Sequence, residues 1–544
     1  MAKVTRRKLM GAAVAGAALP ASALETPDPK TAPISVDDLA SADKLAGRPV
    51  NDTERRQMLA AVRDGRDTLL AVRTSAFAQP YDPAFVFDPV LESTHFPKPG
   101  KVRVSRKPLP KFSNVADLAF LSATDLGRLI KARKVTSAAL TRMYLERLEK
   151  YGPRLLNVIS TCPERALAEA EAADREIAAG KWRGPLHGVP YGLKDLFAAE
   201  GTRTTYGIPP LRDQILHFDA TVTARLKEAG AVLVAKLSLG ELAMGDVWFG
   251  GTTRNPWNPV RGSSGSSAGS ASAVAAGLVG FAIGTETYGS IVSPSRVCGT
   301  TGLRPTFGRV SRHGAMALSW TMDKMGPICR SVEDCALVFA AIHGPDGHDR
   351  TVRAGIGFDW NPNTKLTDLR IGYDKRAFAN ARPEQTAVLE KLRSWGLSPR
   401  PVDLPANNPA YDALPDLTIL TEGAAAFADL ADRGGLRQLV QQSDVSWPNL
   451  LRFGATLPAA DYLNAQRVRR HLQAAMGRAL ESVDVYVTPA GSAPSITWTN
   501  LTGHPSCITR CGKTSNGLPI SVEFTGQLFR EDAILRLAYA WEQE

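Results

Sequence analysis

The sequence predicts a layered α/β fold, in which helices cover both faces of a largely mixed β-sheet. From about residue 119 onward, helical patterns alternate with short apolar runs, as they do in proteins whose sheets are flanked by helices. The composition agrees with this class, because 544 residues, 44% of them hydrophobic and 22% charged, suffice to bury the core of a large enzyme.

The individual elements follow from the spacing of the apolar residues. Helical spacing predicts helices over 52–74, over two segments of 124–151, over 162–179, over 384–395 and between about 416 and 480. The last group forms part of a variable covering layer at about 400–480. Continuous apolar runs between turn residues predict strands at 231–236, 280–284, 369–373 and 483–490.

The N-terminus has the pattern of an export signal of the twin-arginine type. Arg6 and Arg7 precede a short apolar run and the small-residue exit Ala21-Ser22-Ala23. The run is too short for a membrane span, which needs about 20 residues. We therefore expect residues 1–23 to be a signal peptide and the mature chain to be periplasmic or secreted, without stable membrane insertion. A disordered basic tail is the alternative interpretation.

The charge distribution argues against a nucleic-acid partner. Residues 1–23 hold four basic residues and no acidic one, so their removal lowers the formal net charge from +11 to +7. The densest basic stretch, Lys101–Lys111, contains prolines and lies in an N-terminal helical and extended region, 24–112, which precedes the α/β domain of 113–544. Nucleic-acid binding needs a clustered basic surface, and none is predicted.

Neither a metal site nor a cofactor is expected. The six cysteines are too few for a disulfide scaffold in a chain of this length and form no CxxC pairs. His343, Asp346, His348 and Asp349 are close in sequence, but they lie in a loop rich in glycine and proline, and we interpret them as solvated.

The segment Arg261–Gly277, RGSSGSSAGSASAVAAG, admits several interpretations. A flexible linker does not explain the Ala/Val helix pattern that follows, and a phosphate-binding loop would need a lysine. Gly265–Gly269 fits the GxSxG pattern of α/β-hydrolases, with Ser267 as nucleophile, although the strand expected directly before it is missing. A helix N-terminus behind small residues also suits a catalytic site, because its free N–H groups converge.

The wider segment Gly265–Ser311 resembles the signature of the amidase signature family. Similar segments follow in the family's order along about 430 residues: Gly184–Phe197, Lys236–Pro259, Met325–Gly347, Val483–Ala490, Asn500–Pro505 and Gly517–Gln543. The resemblance implies the amidase-signature fold, which is a large twisted mixed β-sheet covered by helices on both faces.

The resemblance also implies a Ser–cis-Ser–Lys triad. Its lysine is Lys194, its bridging serine after a cis peptide is Ser266, and its nucleophile is Ser290. The oxyanion hole consists of the main-chain N–H groups of Thr287, Tyr288, Gly289 and Ser290. The chemistry is sound, because a serine needs a base and a lysine serves as one only when burial lowers its pKa. The apolar residues before Lys194 suit such burial.

Two departures from the family pattern concern the substrate pocket. The usual GGSSGGS is SGSSAGS at Ser264–Ser270, and the usual double glycine before the nucleophile is Tyr288-Gly289. We expect the tyrosine to narrow the acyl pocket or to add a hydroxyl to it. Met244, Ser267 and Tyr288 are the candidate substrate-contacting residues.

The predicted function is that of an exported hydrolase of carboxylic amides. An acyl-Ser290 intermediate releases ammonia or an amine from a small-molecule or peptide amide, and esters and carbamates remain open as substrates. The alternatives are a transamidase A-type subunit that supplies ammonia to mischarged tRNA, an esterase that uses Ser267, and a silent binding protein. The presence of all three triad residues counts against the last. We expect a monomer or homodimer.

Overall fold

The computed structural model describes residues 32–47, 50–57, 59–63 and 85–544. The predicted signal peptide lies outside the described residues. Of the helix predicted over 52–74, residues 52–57 and 59–63 are helical, and 64–74 lie outside the described residues. In the part of the chain that the structure describes, no helix has the length and apolar character needed to cross a membrane.

The strands form one large sheet and two small hairpins. In chain order they are β1 (Val158–Thr161), β2 (Pro190–Lys194), β3 (Val232–Leu237), β4 (Val247–Trp248), β5 (Gly251–Thr252), β6 (Arg254–Asn255), β7 (Asn258–Gly262), β8 (Phe281–Glu286), β9 (Thr301–Arg304), β10 (Lys324–Cys329), β11 (Ile371–Asp374), β12 (Arg400–Val402), β13 (Val485–Pro489), β14 (Ser506–Lys513) and β15 (Pro519–Gly526). The large sheet has 11 strands in the order β1-β3-β2-β8-β10-β9-β14-β15-β13-β11-β12, and β4-β5 and β6-β7 form the hairpins.

The α-helices connect and cover these strands. They are α1 (Val36–Ala46), α2 (Ala123–Lys131), α3 (Ser137–Leu155), α4 (Pro163–Ala178), α5 (Thr221–Glu228), α6 (Ala268–Ala275), α7 (Val292–Cys298), α8 (Val332–Ile342), α9 (Lys375–Phe378), α10 (Pro383–Ser394), α11 (Pro409–Asp412), α12 (Leu414–Ala426), α13 (Ala428–Asp432), α14 (Trp447–Gly454), α15 (Ala459–Leu480), α16 (Ser495–Thr502) and α17 (Glu531–Glu542). Short 3₁₀ helices occur at Val115–Phe120, Pro209–Leu211, Glu241–Ala243 and Gly435–Gln438.

The sheet is mixed and is covered on both faces, as predicted. β3, β2 and β8 are parallel to one another, as are β13, β11 and β12, while the remaining neighbours are antiparallel. On β8, Phe281 and Ile283 pack into one buried hydrophobic cluster and Ala282 into another. Since successive strand residues point to opposite faces, the two clusters lie on opposite sides of the sheet.

Two parts of the sheet differ from the sequence prediction. The antiparallel pair β14–β15 was not predicted, because β14 (SCITRCGK) mixes polar and apolar residues instead of forming an apolar run. Residues 400–402, within a stretch rich in loop-forming residues, form the edge strand β12, parallel to β11. The predicted strands at 231–236 and 280–284 are confirmed as β3 and β8, each shifted by one or two residues.

The parallel strands also place the candidate catalytic segments. Parallel strands end at the same edge of a sheet, so the ends of β2 and β8 lie together. β2 ends at Lys194, and β8 ends immediately before the turn 287–290. The loop 263–267 leads into α6, which packs against both strands. Three distant chain segments therefore meet at one sheet edge.

Candidate active site

The site is built around the buried amine of Lys194. The strand that carries it lies between two parallel neighbours, and the side chain is 0% exposed. Its Nζ lies 2.8 Å from Ser266 Oγ, 3.1 Å from Ser267 Oγ and 2.8 Å from Thr285 Oγ1. Burial lowers the pKa of Lys194 from 10.5 to about 7, because desolvation disfavours the ammonium form. The amine is therefore available as a base near neutral pH.

The three hydroxyl contacts match a neutral amine, which has two N–H donors and one lone pair. Ser267 Oγ donates to the carbonyl oxygen of Thr285 at 3.1 Å, so it accepts one N–H of the amine. When Thr285 Oγ1 accepts the second N–H, the lone pair is left for the O–H of Ser266. In this arrangement Lys194 can remove a proton from Ser266.

The backbone around Ser266 is held in a specific conformation. The Gly265–Ser266 peptide bond is cis, as the resemblance implies. A Cβ at Gly265 would lie 1.8 Å from the carbonyl oxygen of Gly245, so only glycine fits there. The N–H of Ser264 donates to Asp246 Oδ2 at 2.9 Å. These contacts fix the loop that presents the Ser266 hydroxyl to the amine.

Ser267 has a supporting place in this network. It is 0% exposed, and its Oγ both accepts the N–H of Thr285 and donates to its carbonyl oxygen, each at 3.1 Å. With Lys194 as a further donor, the bonding capacity of the hydroxyl is filled. These contacts fit neither the expectation that Ser267 touches the substrate nor the alternative that it is the nucleophile.

Ser290 lies at the end of the turn 287–290 and is 9% exposed. Its carbonyl oxygen accepts the N–H of Ser267 at 3.2 Å, which joins the turn to the serine loop. Ser266 thus has the Lys194 amine on one side and is one residue away from this contact on the other. The placement agrees with the predicted role of Ser266 as a relay between base and nucleophile.

The main-chain N–H groups of the turn are suited to stabilise an oxyanion. Among the described residues, those of Thr287, Gly289 and Ser290 meet no protein acceptor, whereas Glu286 Oε2 accepts the N–H groups of the two residues after Ser290, at 2.8 and 2.9 Å. Gly289 has φ 91°, in the left-handed region that favours glycine. Unpaired donors beside a nucleophile are what a developing oxyanion requires.

Glu286 anchors the base of the turn. It is 0% exposed, and its Oε1 accepts hydrogen bonds from Arg304 at 2.7 Å and from Asn500 at 2.8 Å. Burial raises the pKa of Glu286, but the Arg304 charge outweighs this effect and the pKa falls to about 2. The ionised carboxylate therefore fixes the start of the turn.

Asp323 holds the opposite side of the turn and is also buried. Its Oδ1 accepts the Thr287 hydroxyl at 2.6 Å, and its Oδ2 accepts the N–H groups of Leu318 and Ser319 at 2.8 and 3.0 Å. Burial raises the pKa of Asp323. The negative charges of Asp323 and Glu286 raise the pKa of Lys194, but the effect of burial on the amine is larger.

Asp323→Asn tests this electrostatic coupling. The amide can keep the hydrogen bonds to the turn, but it removes the negative charge that raises the pKa of Lys194. We expect the midpoint of the rate–pH profile to move to lower pH, measured as kcat/KM on one amide between about pH 5 and 10. Asp334→Asn is the matched control, because that buried carboxylate also accepts two main-chain N–H groups and a threonine hydroxyl, far from the amine. An equal shift in both variants would contradict the coupling.

Met244 lies at the rim of the same site. It is half-buried and follows the 3₁₀ helix Glu241–Ala243. The Glu241 carboxylate accepts the N–H groups of residues 440–441 at 2.7 and 3.1 Å, which ties this loop to the covering layer. Met244 thus stands between the serine loop and the covering helices, a position compatible with its predicted contact with substrate.

The residues considered for a metal site serve other purposes. Asp349 pairs with Arg312, with 3.0 Å between carboxylate and guanidinium, and Asp346 accepts the hydroxyls of Thr221 and Ser311. In the described ranges, no group of three or more His, Cys, Asp or Glu side chains is placed to hold a metal ion. All six cysteines are free thiols.

The chain belongs to the amidase signature family. A family model described as Amidase matches residues 139–535. Together with the fold, this match defines an enzyme that acts on amide C–N bonds.

Known relatives fall into two groups. By sequence, the chain is similar to the glutamyl-tRNA(Gln) amidotransferase A-type polypeptide of Methylococcus capsulatus, with 35% identity over 77% of this chain and 96% of that protein. The corresponding polypeptide of Moorella thermoacetica is 34% identical over 78% of this chain and 97% of that protein. By structure, it is similar to the native peptide amidase of Stenotrophomonas maltophilia, with a TM-score of 0.71 and 32% identity over 79% of this chain and 97% of that one.

Proposed function

We propose that the protein hydrolyses amides through an acyl-Ser290 intermediate. The observation that carries this proposal is the contact of the buried Lys194 amine with Ser266, 2.8 Å away, beside the turn whose main-chain N–H groups suit an oxyanion. Ser290 transfers its proton to Ser266 as it attacks the carbonyl carbon, and Ser266 transfers its own to Lys194. The ammonium then protonates the leaving nitrogen through the same hydroxyls, and water releases the acid by the reverse route.

As first candidate, the chain works alone on small-molecule or peptide amides. The likeness to a peptide amidase over 97% of that chain supports this candidate. The test is release of ammonia or amine from a panel of primary amides, peptide amides, anilides, esters and carbamates by the purified chain without partner or tRNA. Turnover of an amide by the chain alone is expected. Absence of turnover on the whole panel would contradict it.

The second candidate is a transamidase A-type subunit, and the sequence relatives favour it over the first. Both of the sequence relatives named above are amidotransferase polypeptides of this type, each matched over 96% or more of its length. The chemistry at Ser290 would be the same, with glutamine as the amide and the ammonia passed to a partner. This candidate predicts that glutamine is hydrolysed and that activity rises when the other transamidase subunits and mischarged tRNA are added. The mass of the free chain in solution, a monomer or homodimer under the first candidate, adds a second criterion.

We further propose export by the twin-arginine route. The support is the sequence of residues 1–23, with Arg6-Arg7 before the apolar run and Ala21-Ser22-Ala23 after it. In the native host, the chain is expected in the periplasm or medium with a new N-terminus near Leu24. Replacing both arginines by lysine is expected to retain it in the cytoplasm. Unprocessed wild-type protein in the cytoplasmic fraction would refute export without affecting the proposed chemistry.

A further inference from the structure

Tyr288 stands where the family has the first of two glycines, and its side chain reaches out of the turn. Its hydroxyl lies 2.7 Å from Thr497 Oγ1, on helix α16. The neighbouring residue of that helix, Ile496, also contacts the turn, because its Cδ1 would lie 3.1 Å from a Cβ at Gly289. The tyrosine ring therefore spans the space between the nucleophile turn and the start of α16.

Helix α16 is a fixed partner for this ring. At its first turn, Ser495 Oγ lies 2.9 Å from the hydroxyl of Tyr486, a fully buried residue of the sheet. One turn later, Asn500 donates to Glu286 at 2.8 Å, and Glu286 is the residue that anchors the turn. The helix and the nucleophile turn thus share one buried carboxylate, so the ring is held at both ends.

We propose that Tyr288 and Thr497 form a wall of the acyl pocket and restrict the substrate to acyl groups that are short or unbranched next to the carbonyl. The inference rests on the proposed acyl-Ser290 chemistry. Asp323 and Glu286 occupy two other sides of the turn, and the ring closes the side toward α16, two residues from the nucleophile. An acyl chain that turns toward α16 meets the ring, whereas a linear chain that runs past it does not.

Tyr288→Gly restores the double glycine and keeps the main-chain N–H of the turn. Two substrate series separate the halves of the amide: primary amides from acetamide to hexanamide with isobutyramide, and N-substituted acetamides of increasing amine size. In the wild type we expect kcat/KM to fall with acyl branching and bulk. In Tyr288→Gly the ratio of isobutyramide to acetamide is expected to rise at least about tenfold, the usual scale of discrimination for one methyl group in a pocket.

Two further variants divide the wall into ring and hydroxyl. Tyr288→Phe and Thr497→Val each remove the hydroxyl contact and keep the bulk, and a net hydrogen bond corresponds to a change in this ratio of about 2- to 10-fold. Thr499→Val is the matched control, since that buried threonine on the same helix donates to Ser495 and not to the tyrosine. Its profile is expected to stay that of the wild type.

The outcomes separate this proposal from the proposed function. If the wild type turns over amides but Tyr288→Gly changes only the amine series, or neither series, the acyl wall is wrong while the chemistry stands. If the wild type hydrolyses no amide and Ser290 is not labelled by an organophosphonate, the proposed function itself fails. Thermal unfolding of each variant excludes misfolding as the cause of a lost activity.

Discussion

Ser290→Ala is expected to abolish acyl-enzyme formation. The hydroxyl is the atom that bonds to the acyl carbon, and no neighbouring hydroxyl replaces it, because Ser267 Oγ is saturated by contacts with Thr285 and Lys194. The measurement is mass spectrometry of enzyme quenched during turnover or treated with an organophosphonate. The wild type gains the mass of one acyl or phosphonyl group, on the peptide that contains Ser290, and the variant gains none.

Ser293→Ala is the control for that experiment. Ser293 lies just beyond the turn, and its N–H donates to the carbonyl oxygen of Gly289 at 2.7 Å, an interaction of the main chain that the substitution keeps. This variant should be labelled like the wild type. A label on Ser267 instead of Ser290 would reverse the assignment and favour the α/β-hydrolase alternative, against the buried contacts of Ser267.

The sheet was predictable from the sequence where its strands are apolar runs. β3 and β8 are buried on both faces, so they appear in the sequence as continuous apolar segments. β14 lies between two antiparallel neighbours, yet four of its eight residues are at least partly exposed. Pairing of main-chain groups rather than side-chain pattern determines such a strand, and local sequence therefore did not indicate it.

The groups that hold the triad in place were not predictable as a set. Thr285 and Glu286 belong to the TETYGSI segment that the resemblance singled out, but their contacts with Lys194 and with the turn depend on the pairing of strands. Asp323 and Thr497 lie more than 30 residues beyond Ser290 and show no pattern of their own. Their proximity to the turn arises only when the antiparallel strands β8 and β10 pair and α16 folds back over the edge.

Lys194→Ala is expected to remove most activity at neutral pH, by a factor of about 10²–10⁴, the usual contribution of general acid–base catalysis. Ser266→Ala is expected to cost somewhat less, because the amine can still act through a water molecule. Lys194→Met keeps most of the buried volume without a base, so a loss in both lysine variants, with wild-type thermal unfolding of the second, separates catalysis from packing.

The pH profile identifies the lysine as the base. Burial lowers the pKa of Lys194 to about 7, and only the neutral amine accepts a proton. The wild-type rate should therefore rise with pH through an apparent pKa near this value and level off above it. That pKa belongs to the coupled hydroxyl relay as a whole. Lys194→Ala should lose the rise, and a small primary amine added to the solution should restore part of the rate. Near-wild-type turnover in Lys194→Ala, together with its loss in His504→Ala, would show that histidine rather than lysine is the base.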